Sequence, residues 1–245
     1  MKKALIIGGA VLVFLLTASL VIFVFFPGLP SFFKVKYQYK HINEKPNAFE
    51  LVSVRADFKE FTLDGIKLKA PADCSLKLDG NGLKSASGEV ELVVLQTNNK
   101  EQDETLASFQ DYDPWDIYKY EQEDYKDFFR SIGTEPPQYG FSSKILFYIR
   151  EYITSADCIR IRGKNKDIFF ELADLKEKTM EAEDMQKLKS SNFTEYIGRI
   201  HRNGYEDIWN LSIFPDGDDL NSYLVTIKCG DETTAKQIIS SIELE

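Results

Sequence analysis

The sequence predicts an α+β fold, an antiparallel sheet with helices packed on it, preceded by one N-terminal transmembrane helix. Three observations predict it. Residues 4–26 carry no charge. Period-two apolar text fills residues 49–97 and returns over 196–229. Helically spaced apolar residues occupy the middle of the chain and close it over 235–242. Strands, then helices, then strands and a final helix is the order of an α+β domain.

The first segment follows Met1, Lys2 and Lys3 and ends at Pro27. Its 23 residues would make a helix of about 34 Å, against a hydrocarbon core of about 30 Å. A cleaved export signal has a shorter apolar core, about 7–15 residues, ending at small residues. The reading is an uncleaved anchor over residues 1–27, a juxtamembrane linker over 28–47 and a single α+β domain over 48–245. In the linker, Phe32, Phe33, Tyr37 and Tyr39 alternate with Lys34, Lys36, Lys40 and Lys45. That pattern suits either an interfacial belt or a simple tether. The basic start reads as an export signal, although lysines also follow the apolar run. The expected location is the membrane, single-pass, with the C-terminal domain extracytoplasmic.

The chain carries −9 overall, and with Lys2 and Lys3 set aside residues 28–245 carry −11. That balance argues against nucleic acid, whose phosphates need clustered Lys and Arg. The 18 Phe and 12 Tyr call for a packed domain rather than a disordered stalk. Three cysteines, Cys74, Cys158 and Cys229, are too few for a disulfide scaffold. One bridge with a free thiol and three buried thiols both fit.

Strands are expected around Phe49–Ser53 and Phe58–Leu63. Ile66 to Ala70 alternates and stops at Pro71, and Cys74 to Leu78 alternates and ends in the turn residues 79–82. Residues 89–97 form another strand. Asp113 and Pro114 start a helix that Gly133 ends. Ser142 caps a second helix, residues 166–178 form a third, and residues 184–189 add a short turn. Residues 196–201, 208–214 and 223–229 return to strands. Asp231 caps a helix with Ala235, Ile238, Ile239 and Ile242 on one face.

The strand ending at Pro71, the central helices and the closing hairpin, strand and helix over 196–244 together resemble the PsbP-like α/β/α sandwich. The likeness covers most of the body and involves no specific motif. It implies the fold and a binding or accessory role, and no chemistry. The chain is also similar in layout to small single-anchor bacterial surface proteins.

Catalytic signatures are sparse. Zinc spacings are absent, and His41 and His201 are the two histidines. Ser31 and Lys34 match a bare Ser-x-x-Lys without the companion elements that spacing needs. Gly80 and Gly82 read as a hairpin turn rather than a dinucleotide loop. Asp216, Asp218 and Asp219 crowd one turn, read as solvated with a weak calcium site as the alternative. Cys158 precedes Arg160 and Arg162, which would favour a thiolate. No cofactor or metal is expected.

The candidate interaction surface is the acidic, aromatic stretch containing Asp111, Trp115, Asp116, Tyr118, Glu123, Asp124 and Tyr125. Tyrosine and tryptophan combine contact area with a polar handle. The alternative is a helix with one buried aromatic face and one solvated acidic face. The functional expectation is a membrane-anchored protein presenting a binding module to a protein partner. A hydrolase with a site assembled across the fold, and an accessory or immunity-like membrane protein, are the alternatives.

Overall fold

The computed structural model describes residues 2–25, 29–77, 80–108, 119–159, 161–182, 184–200 and 207–245. The chain divides into two compact units. A helical unit takes Met1–Lys45, Tyr120–Pro136 and Tyr148–Thr179, and a sheet unit takes Pro46–Lys119, Pro137–Phe147 and Met180–Glu245.

In chain order the elements are α1 (Lys2–Phe25), α2 (Leu29–Gln38), β1 (Asn47–Ala48), β2 (Lys59–Leu63), β3 (Ile66–Ala70), β4 (Cys74–Leu76), β5 (Gly82–Ser85) and β6 (Val90–Asn98). Then come α3 (Asn99–Ser108), α4 (Gln122–Ser131), α5 (Phe141–Tyr152), α6 (Lys164–Ala182) and β7 (Asp184–Lys189). The chain closes with β8 (Phe193–Ile200), β9 (Ile208–Pro215), β10 (Asn221–Cys229), α7 (Glu232–Ile239) and β11 (Glu243–Leu244).

The sheet unit holds an eight-stranded sheet in the order β1-β7-β8-β9-β10-β6-β5-β4, and a three-stranded one, β11-β3-β2. All pairs are antiparallel except β1 with β7, so the large sheet is mixed. Its strands alternate as half-buried strands must. Ile197, Leu211, Ile213, Val225, Ile227, Leu92 and Val94 point to one face. There they pack with Ala235, Ile238 and Ile239 of α7 and with Ile66 and Leu68 of β3. Tyr196 and Phe214 point to the other face, where Phe147 of α5 stacks on Tyr196 with ring centroids 4.6 Å apart.

Two glycines are required by close approach. A Cβ at Gly140, whose φ is +66°, would lie 2.7 Å from the buried Asn99 side chain. A Cβ at Gly82 would lie 2.6 Å from the Leu92 carbonyl on the neighbouring strand. Asp231 caps α7 as its sequence predicts, accepting from Thr233 N, Thr234 N and Thr234 Oγ1.

In the helical unit, Tyr125, Phe128 and Phe129 of α4 are buried together with Phe169 and Leu172 of α6. Glu177 of α6 accepts from the backbone N–H groups of Lys40 and His41, each at 2.8 Å, tying down the chain after α2. Lys176 is fully buried, and its ammonium donates to the Ile153 carbonyl at the end of α5, at 2.7 Å.

Several expectations need correction. No helix is long and apolar enough, among the described residues, to cross a membrane. This overturns the N-terminal transmembrane helix and with it the signal-anchor, single-pass reading of residues 1–27. The side chains described in α1 are those of residues 11–22, 24 and 25. Its apolar side chains are exposed, from 42% at Ile22 to 72% at Phe14.

Residues 28–47 are not simply a linker, because α2 lies within them. Residues 184–189 form a strand, β7, rather than a turn. Residues 49–53 have no strand structure. The expected helix start at Asp113 and Pro114 falls outside the described residues; α4 begins at Gln122 behind the N-cap Glu121.

Candidate functional site

The sheet unit carries an open cleft of about 610 Å³ where four chain segments converge. The stretch before β2 supplies Arg55, Asp57 and Phe58, and the β3–β4 loop supplies Pro71, Ala72 and Asp73. The β5–β6 turn supplies Ser85, Ser87 and Glu89, and the β10–α7 junction supplies Cys229, Gly230, Asp231 and Thr234. The convergence follows from topology. These turns all lie at the same end of the sheet as the α7 N-terminus, since Cys229 pairs with Val90 across β10 and β6.

Four carboxylates face one guanidinium in this cleft. Arg55 is committed to Asp57 through two bonds of 2.9 and 2.7 Å. That pair holds the Asp57 carboxyl below its usual range. Asp231 is committed to capping α7, and its hydrogen bonds to Thr234 depress its carboxyl too. Among the described residues the Asp73 carboxylate has only a long 3.5 Å bond from the Ser87 backbone. Glu89 has no side-chain partner among the described residues. Two carboxylates therefore remain open to a ligand in a cleft with a net negative wall. Ser85 and Ser87 share a hydrogen bond at 3.1 Å on the floor.

The sequence-predicted interaction residues fall differently. Asp111, Trp115, Asp116 and Tyr118 lie outside the described residues. Glu123, Asp124 and Tyr125 share α4. Glu123 pairs with Arg130 at 2.8 Å. Asp124 closes a capping box with Glu121 and pairs with Lys164. Tyr125 is fully buried and donates its hydroxyl to Glu171.

The other sequence candidates separate cleanly. His201 lies outside the described residues, and His41 Nδ1 meets Glu44 at 2.7 Å. The three carboxylates of the 216–219 turn each serve a different partner. Asp216 pairs with Lys189, Asp218 holds Leu220 and Asn221, and Asp219 pairs with Lys144 at 3.0 Å. They do not converge on one point. No group of three metal-ligating side chains occurs among the described residues.

All three cysteines are buried and outside any disulfide. Burial pushes the Cys158 thiol up to about 11, and the nearby Asp157 charge pushes the same way. The thiol is protonated at neutral pH, the reverse of an activated nucleophile. Cys74 is raised to about 11 for the same reason.

Two buried titratable groups escaped the sequence reading. Lys176 is pulled down to about 8 by burial. Glu195 on β8 is raised to about 8 by burial alone, and among the described residues both its carboxyl oxygens lack a hydrogen-bond partner. The signal was the parity of Phe193, Glu195 and Ile197, which places a carboxyl in a core-facing row. A strand begun at Tyr196 leaves it out.

Compared with known proteins, the chain matches no family model, and no curated protein matches it.

Proposed function

We propose that this chain is a binding protein whose sheet unit presents the Arg55–Asp231 cleft to a positively charged group, an ammonium or guanidinium carried by its partner. The cleft itself carries the reading. Its volume lies within the range typical of ligand sites, and its open carboxylates, Asp73 and Glu89, leave a cation as the complementary charge.

Catalysis fits less well. The buried thiols are protonated, and the cleft carboxylates named above serve as caps, as one half of an ion pair or as open charges. Asp57 and Asp231 are held below the usual carboxylate range, the reverse of what a general acid needs.

Titration of the full chain with spermidine and with an oligolysine peptide, followed by calorimetry, tests the proposal. The expected result is saturable binding that weakens with added salt and drops at least about tenfold in the Asp73→Asn, Glu89→Gln double variant. Both positions are exposed, so the fold should survive the change. Absence of saturable binding, or equal binding by the double variant, overturns it.

A further inference from the structure

Glu195 stands in a row of core-facing side chains that crosses one end of the large sheet. The β7–β8 register sets it opposite Leu188, and the β8–β9 register sets it opposite Ile213. Tyr223 continues the row on β10. On the other side, Ala48 pairs with Lys187, and Phe49 donates its N–H to the Lys187 carbonyl at 2.9 Å. Phe49, itself buried, therefore follows in line with Leu188.

Glu195 has no exposed surface, and neither oxygen finds a donor among the described residues. It is two strands from the sheet's end, and the last strand there, β1, is two residues long. A carboxylate stripped of water and donors is costly, so the neutral acid is the form this row accommodates.

The charged groups around it are turned away or engaged. On β7, Lys187 lies over the Tyr196 ring on the opposite face and Lys189 pairs with Asp216, while Asp184 is exposed. On β8 itself, Arg199 is held by Asp207 and Glu232, and on α7 Lys236 pairs with Glu232. Before β2, Arg55 is held by Asp57. The Tyr223 hydroxyl is the remaining titratable group in the row, and burial makes it a weaker acid.

We propose that Glu195 is a proton-controlled latch on the β1–β7 end of the sheet. Protonated, the carboxyl lies dry beneath Phe49 and the edge stays closed. When its proton leaves to a base in solution, the carboxylate needs water, and the nearest way to it is release of Phe49 and the two-residue β1. Opening exposes the acid, whose ordinary value is 4.5 against about 8 when buried. Opening is therefore accompanied by proton loss at every pH between those two values, and is favoured as the pH rises.

Hydrogen exchange of the full chain at pH 6 and pH 8, corrected for the intrinsic base-catalysed rate, tests this. Protection over residues 47–49 and 184–189 should fall on the order of 50-fold between the two conditions. Glu195→Gln and Glu195→Leu should each show no such pH-dependent fall. Unchanged corrected protection in the parent chain overturns the latch regardless of how the variants fold. An equal fall in parent and folded variants overturns it as well.

Discussion

Lys176 has no exposed surface, and its ammonium donates to the Ile153 carbonyl, one of the orphan acceptors at the end of α5. Burial nonetheless lowers it from 10.5 to about 8. Below pH 8 the folded and unfolded chains both hold the proton, and the burial cost is constant. Between pH 8 and 10.5 the unfolded chain holds it and the folded chain does not, so stability rises with pH. Lys176→Met removes this dependence. The difference in unfolding free energy between parent and variant should be flat below pH 8. It should then move in the parent's favour by about 1.4 kcal/mol per pH unit up to 10.5. A flat difference across that window would mean that Lys176 reaches water in the native state. Tyr125 teaches the complementary lesson. Its spacing with Phe128 and Phe129 marked a helix face, but whether a tyrosine lies in a surface or a core is decided by what covers it, here Glu171 and the interior of the helical unit.

At the scale of elements, legibility followed the cleanness of the local pattern. α7 was readable because Asp231 caps it and Ala235, Ile238 and Ile242 share one stripe. β7 was not, because Met185 and Leu188 have opposite parity and so serve opposite faces, which erases the period-two signal. β5 has one large apolar residue, Leu83, and is a strand because β4 and β6 flank it on both sides. Val35, Tyr39 and Ile42 are buried at helical spacing, a signal that the lysines and prolines around them masked. The cleft was illegible for another reason: its walls come from segments scattered between positions 55 and 234, joined only by the strand order.

α1 poses the converse problem, a readable element without a readable face. Val11 to Leu16 are consecutive and all more than half exposed, so they cover every direction around the helix axis. That all-round exposure is why the apolar pattern marks the helix in the sequence but marks no packed face on it.

For the molecule as a whole, the shifted groups combine into a stability profile. Asp57, Glu91, Asp218, Asp231 and Glu232 are held below their usual range by hydrogen bonds and ion pairs. Their contribution is present above the unfolded carboxyl values and is lost as pH falls. Glu195 acts the other way: its contribution is complete below 4.5 and is lost as pH rises through 8. Cys74 and Cys158, raised from 9.0 to about 11, favour the fold below pH 9 and lose that contribution as pH climbs through 11. The sheet unit should therefore be most stable near pH 5 and weaken toward pH 8. That optimum falls close to the sequence pI of about 5.0, so growing negative charge offers a rival explanation for the alkaline decline. Salt separates the two, because repulsion between exposed charges is screened while the cost of ionising a dry carboxyl is not. Trp209 is buried in the sheet unit and reports its unfolding once Trp115, the second tryptophan, is replaced by Phe. In that background the thermal midpoint should fall between pH 5 and pH 8 at both 0.05 and 0.5 M salt, and Glu195→Gln should remove most of the fall at either. If high salt alone abolishes the decline, general repulsion and not Glu195 sets the alkaline limit of this fold.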